Sequence, residues 1–203
     1  MKSIKKTLLA VCMVAMPTAG FAKEPPPFAH VSISMDGAAP RRTVPDFSLI
    51  ERSGKKVTLA DLRGQVWIAD FIYTKCTDTC PLQTADMARL QDRWLNEKEL
   101  NLVSFSVDPE HDTPPVLSRY AARFKADPKR WLFVTGSRPQ IVHLIEDGFH
   151  LGVASASSHA NVILHSPRFV LVDKQGQIRG YYNNDDPKAM QRLNQDVASL
   201  LDK

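Results

Sequence analysis

The sequence predicts an α/β domain with a central mixed sheet flanked by helices and a β-hairpin at its N-terminal end. Three observations carry that expectation. Apolar runs of strand length alternate with helical periodicity, a hairpin pattern precedes them, and a second hairpin followed by a last helix closes the 203-residue chain. A thioredoxin-like layout fits this order.

Phe47 and Leu49 alternate with polar residues, residues 52–55 (Arg-Ser-Gly-Lys) supply a turn, and Val57 and Leu59 resume the alternation, which is a hairpin signal. Residues 66–73 (Val-Trp-Ile-Ala-Asp-Phe-Ile-Tyr) form a mostly apolar run suited to a central strand covered on both faces. That run leads directly into Cys76. After Pro81, Met87, Leu90 and Trp94 recur three and four residues apart among charged residues, as a helix requires. Residues 102–107 read as a second strand ended by Asp108-Pro109. Asp112 or Thr113 then serves as a cap, with Pro114 in the first turn of a helix carrying Leu117, Tyr120, Ala121 and Phe124. Residues 131–134 read as a third strand and 138–149 as a helix through Ile141, Leu144 and Ile145. Two strands, 162–172 and 177–182, are joined by a turn at 173–176, and 187–201 closes the chain as a helix. There is no internal repeat.

With 43% hydrophobic and 24% charged residues, the composition excludes collagen-like, disordered, coiled-coil and multi-span membrane classes. Lys2, Lys5 and Lys6 account for three of the formal net charge of +4, so the rest of the chain carries +1. No basic patch points to nucleic acid.

Those three lysines precede an apolar run of about ten residues, a breaker at Pro17, and Gly20 and Ala22 in a small-x-small pattern, which together define a secretory signal peptide over residues 1–22. A spanning helix needs about twenty apolar residues, so a cleavable leader is expected rather than a permanent anchor. Cys12 reads as a small hydrophobe in the apolar run. Residues 23–45, with Pro25, Pro26, Pro27, Pro40 and Pro45, form a proline-rich arm, and residues 46–203 the folded domain. The expected location is the periplasm.

Export places Cys76 and Cys80 in an oxidising compartment, where they become a disulfide, a metal site, or a redox pair serviced by a reducing partner. They lie in Cys76-Thr77-Asp78-Thr79-Cys80-Pro81, where the central strand gives way to a helix. Were the segment helical, residues four apart would share one face, and the helix N-terminus would favour thiolates. A purely structural disulfide across so short a loop would constrain little of the unfolded chain. Dithiol oxidoreductases usually have two residues between their cysteines, whereas the three here leave room for an ion. Two thiolates rarely complete a copper or zinc site, so a third donor is expected from elsewhere in the fold.

Six histidines are available. His30 in the arm and His111 after a turn read as solvated, and His143 as a helix residue. His150 and His159 flank a small-residue loop and are accessory donors at most. His165 stands apart because it interrupts an otherwise apolar strand pattern, Val162-Ile163-Leu164-His165-Ser166-Pro167. In a thioredoxin-like layout the entrance to that strand lies beside the cysteine helix.

From about Pro45 to Leu201 the chain resembles the Sco/SenC family of copper proteins that serve cytochrome c oxidase assembly. The resemblance rests on the apolar strand before Cys76-x-Asp78-x-Cys80-Pro81, on Ser106-Val107-Asp108-Pro109-Glu110-x-Asp112-Thr113, and on His165-Ser166 followed by Phe169-Val170-Leu171-Val172-Asp173. It implies that Cys76, Cys80 and His165 bind copper. Thr77 stands where the family usually has Pro, and Leu164 where it usually has Asp.

The expected function is therefore a periplasmic copper chaperone. It would act as a monomer and deliver copper to an acceptor such as a cytochrome c oxidase subunit or another copper chaperone, with a thiol-reductant protein keeping Cys76 and Cys80 reduced. The alternative is a metal-independent thiol-disulfide reductase using the same cysteine pair, which leaves His165 without a role. Peroxidase chemistry, echoed weakly by Thr77-x-x-Cys80-Pro81, is a distant third.

Overall fold

The computed structural model describes residues 42–77, 79–151 and 168–202. Residues 1–41, which hold the expected signal peptide and most of the proline-rich arm, lie outside them, as do Asp78 and residues 152–167 with His159 and His165.

The N-terminal hairpin forms as expected, with β1 (Ser48–Glu51) paired antiparallel to β2 (Lys56–Thr58). Leu59 does not continue β2. Thr58 and Asp61 form a capping box that turns the chain into the one-turn helix α1 (Leu59–Leu62), which buries Leu59 and Leu62. The chain continues through β3 (Val66–Ile72), α2 (Thr79–Arg93), β4 (Leu100–Ser106), α3 (Pro114–Arg123) and β5 (Trp131–Thr135). α4 (Arg138–His143) follows, then β6 (Arg168–Val172), β7 (Ile178–Asn183) and α5 (Pro187–Leu201). The helix expected over 138–149 changes character partway, since Leu144–Gly148 is a π turn in which the Phe149 amide donates to the Leu144 carbonyl at 2.8 Å. Gly148 sits there against Pro45, where a Cβ would come within 2.9 Å of the proline ring.

The seven strands form one sheet in the order β2-β1-β5-β4-β3-β6-β7. β3, β4 and β5 are parallel, while β1 and β6, the inner strands of the two hairpins, run antiparallel to this centre, so the sheet is mixed as the sequence predicts. Every residue of β3 is buried, the pattern of a strand with helices on both faces. Val66, Ile68 and Ile72 face a layer built by α2, α3 and α5 through Met87, Leu90, Leu117, Tyr120 and Leu193. Trp67, Ala69 and Phe71 face the opposite core, where Trp67, Phe71, Phe105 and Phe149 pack ring against ring at 5.0–6.3 Å.

Val44 is buried, and residues 42–44 pair with the edge of the last hairpin through Val44 N to Gly176 O at 2.9 Å and Ile178 N to Arg42 O at 2.8 Å. The turn between β6 and β7 needs Gly176 at φ +80, and Asp173 closes it by accepting the amides of Gln175 and Gln177.

Candidate metal centre

β3 delivers the chain to the end of the central parallel strands, and the loop after it turns it into α2. Cys80 lies in the first turn of that helix, while Cys76 lies before it, so the cysteines do not share a helical face as expected from a continuous helix. They meet by a different route. The Cys76 Sγ accepts a hydrogen bond from the Cys80 backbone amide at 3.4 Å, taking one of the otherwise unsatisfied donors at the helix start. Both side chains are buried thiols with no disulfide between them.

The resting state of Cys80 also differs from the expectation that the helix start favours a thiolate. Burial pushes its thiol up to about 12, and the hydrogen bond and charge interaction with Cys76, together with the charge of Asp70, add to the rise. Hydrogen bonding from the Tyr73 backbone opposes it without prevailing. Cys80 therefore rests protonated.

A buried polar frame holds the two cysteines. Of the two expected cap candidates, Thr113 takes the cap position of α3, and Asp112 is fully buried. The Asp112 carboxyl accepts from the Thr74 amide at 3.1 Å, the Thr74 hydroxyl at 2.6 Å and the Ser106 hydroxyl at 2.7 Å, pinning the start of the cysteine loop to the end of β4. On the helix side, the Thr84 hydroxyl donates to the Cys80 carbonyl at 2.8 Å, leaving its oxygen to accept from the Tyr120 hydroxyl at 2.9 Å. Thr84→Val keeps the shape but removes both bonds, and is expected to lower the unfolding free energy by about 1–3 kcal/mol in urea denaturation. An unchanged midpoint would show that this bridge contributes nothing to stability.

Two adjacent thiols form a soft donor pair suited to a thiophilic ion. Among the described residues no group of three His, Cys, Asp or Glu is placed to hold a metal, so a third donor would come from the segments outside them. His165 is three residues before Arg168. The antiparallel pairing of Ala69 with Val170 sets the start of β6 beside the end of β3, and Gln83 of α2 donates to the Arg168 carbonyl at 3.5 Å. The other described histidines stay apart from this donor pair: His111 lies in the β4–α3 turn, His143 pairs with Asp147 at 2.7 Å, and His150 is exposed with φ +48. Burial, with Arg42 nearby, lowers the His150 pKa.

Sequence reasoning missed the roles of Thr74, Thr84, Tyr120 and Asp112. It also passed over Asp70, an acidic residue inside the otherwise apolar run of β3, which was the available signal.

A thioredoxin-like domain with a Cys-x3-Cys pair at the strand–helix junction defines the class of this protein. The SCO1/SenC family model matches residues 35–202, and the chain belongs to that family. The SCO1 protein homolog of Bacillus subtilis is 35% identical over 158 residues, covering 77% of this chain and 81% of that one. Among solved structures, BsSco, a member of the Sco family of cytochrome c oxidase assembly proteins in which a disulfide switch has been identified, is 31% identical with a TM-score of 0.68. That match covers 81% of this chain and 96% of BsSco. ScoI of Arabidopsis thaliana, solved with copper bound, is 25% identical with a TM-score of 0.64 and matches 77% of this chain and 99% of its own.

Proposed function

We propose that this chain is an exported copper chaperone that binds the ion through Cys76, Cys80 and His165 and passes it to a copper-accepting protein such as the copper centre of cytochrome c oxidase. The observation that carries the reading is the pairing of two buried thiols at the head of α2, beside a β6 strand whose first residue is tied to that helix by Gln83. A histidine three residues before Arg168 is within about 10 Å of chain from that anchor. Two thiolates and one imidazole suit Cu(I) in a three-coordinate site, and the same set with one more ligand holds Cu(II). Copper bound to ScoI of Arabidopsis supports the choice of ion. The periplasmic location rests on the lysines, apolar run and small-x-small pattern of residues 1–22.

A second reading has its own support. The buried thiols of Cys76 and Cys80, brought together by the bond from the Cys80 amide to the Cys76 sulfur, can close a disulfide, and BsSco carries a disulfide switch, so the pair suits thiol-disulfide exchange with a partner protein. The readings separate at His165.

The mature chain, reduced and titrated anaerobically with Cu(I) and separately with Cu(II), is expected to bind one equivalent and to show a sulfur-to-copper charge-transfer band in the Cu(II) form. His165→Ala should lose the band and bind about 10–100-fold more weakly, while Cys76 and Cys80 still form a disulfide. Unchanged affinity in the variant would remove His165 from the site. Absence of specific binding in either oxidation state would leave the reductase reading standing alone.

A further inference from the structure

The near-neutral charge of the chain after residue 22 conceals an uneven distribution. Residues 114–130, which make α3 and the loop after it, hold Arg119, Arg123, Lys125, Lys129 and Arg130 against the single acid Asp127, a net +4. With the whole chain at +4 and residues 1–22 at +3, everything else nets −3. Arg119, Arg123, Lys125 and Lys129 are exposed, and half-buried Asp127 accepts the Lys129 amide at 2.9 Å. Lys125 stands just past the α3 cap at φ +52, where its amide donates to the Ala122 carbonyl and the Ala126 amide to that of Ala121. Glycine fits that left-handed position with less strain, so a charge is kept there against local preference. The last turn of α2 joins this surface. Gln91 donates to the Lys125 carbonyl at 3.3 Å and accepts the Asp127 amide at 2.8 Å, and the Arg130 guanidinium donates to the carbonyls of Trp94 and Leu95. Leu95 is 62% exposed, and the Arg93 guanidinium lies 5.8 Å over the ring of half-buried Trp94. The exposed acids on this side are Asp92, Glu97 and Glu99, the last paired with Lys174, and Arg93 and Lys98 offset the other two.

A lone exposed leucine signifies nothing by itself. Ringed by arginine and lysine and set beside a tryptophan, it belongs to the kind of surface that seats in a headgroup layer, with cations on phosphates and apolar tips below them. We propose that this end of the domain docks on an anionic lipid bilayer, with Arg119, Arg123, Lys125 and Lys129 against lipid phosphates and Leu95 and Trp94 at the boundary of headgroups and acyl chains. Its place in the fold suits that role. β3, β4 and β5 are parallel, the cysteine loop follows the last residue of β3, and Leu95 and Lys125 precede the first residues of β4 and β5. The patch and the cysteine pair therefore lie at opposite ends of the central strands, and a domain seated by the patch turns Cys76 and Cys80 away from the bilayer, open to a protein partner. The inference goes beyond the copper reading and does not depend on it.

The test is co-sedimentation of the mature chain, residues 23–203, with vesicles of phosphatidylglycerol and phosphatidylcholine and with vesicles of phosphatidylcholine alone. Wild type should bind the anionic vesicles at least tenfold better at about 50 mM NaCl and lose most of that binding at about 300 mM, as screening shortens the reach of the charges. Combining Arg119→Gln, Arg123→Gln, Lys125→Gly and Lys129→Gln should weaken binding about 100-fold. A second set, Arg63→Gln, Arg138→Gln, Lys188→Gln and Arg192→Gln, removes the same charge from other exposed positions and should weaken it by less than about fivefold. Trp67 and Trp131 are fully buried, so quenching of tryptophan emission by lipid brominated in its acyl chains reports Trp94; it should appear in wild type and vanish in Leu95→Asp. Absence of binding at low salt overturns the bilayer as occupant and leaves an acidic protein surface in its place. Equal loss from the two charge sets overturns the patch as the docking site, and binding without quenching overturns the seating of Leu95 and Trp94.

Discussion

Asp112→Ala is expected to lower the unfolding free energy by about 3–5 kcal/mol and to loosen the cysteine loop before the rest of the fold. The carboxyl is fully buried and accepts three hydrogen bonds: two from Thr74, which is two residues before Cys76, and one from Ser106 at the end of β4. Removing it leaves the buried Ser106 hydroxyl and the half-buried Thr74 donors without this partner, at about 1–3 kcal/mol each before relaxation and water entry reduce the sum. Asp112→Asn keeps one acceptor oxygen but turns an NH2 group toward donors, so about half the loss is expected. Urea unfolding measures the global change, and amide hydrogen exchange at residues 74–80 measures the local one. Faster exchange there than in β3 and β4 is the signature of a latch on the loop. Uniform acceleration across the domain would assign Asp112 to general stability and take away its hold on Cys76.

The latch shows where sequence reasoning reaches its limit. Asp112 precedes Thr113-Pro114-Pro115, and either Asp112 or Thr113 satisfies the pattern for a helix cap. The alternative partner for Asp112 is Thr74, thirty-eight residues earlier, and no local pattern reports it. The strands were legible because β3, β4, β5 and β6 are buried on both faces and so appear as apolar runs, and α3 and α5 because one apolar stripe faces the sheet. The capping box Thr58-x-x-Asp61 was legible in principle, yet Leu59 also continues a period-two pattern, and the helix won because Thr58 and Asp61 exchange their bonds locally. The cysteine pair was visible, but its geometry was not. A helix over both cysteines and a loop whose sulfur caps the helix have the same spacing; only the second accounts for the bond from the Cys80 amide to the Cys76 sulfur.

Asp70 carries the other large effect, in stability against pH. Burial raises its pKa from 3.8 to about 7 in the folded chain, so between those values the folded state holds a proton that the unfolded state has released. The contribution of Asp70 is therefore most favourable below the unfolded value and is lost as pH rises through about 7, by about 4 kcal/mol at most across the window. Asp61 and Glu110, exposed and held low by hydrogen bonds from Thr58 and Arg138, act in the opposite sense at acid pH, and His150, lowered by burial, does so near neutrality, so across pH 5 to 8 it is the difference between wild type and Asp70→Asn that isolates the buried group. Over that interval wild-type stability should fall relative to Asp70→Asn, so that the variant gains on wild type by about 1–3 kcal/mol at pH 8, part of the difference being offset by the buried amide. Parallel curves would mean that Asp70 does not change protonation in the folded chain. A gain in the variant would identify Asp70 as a buried carboxyl that costs stability at neutral pH.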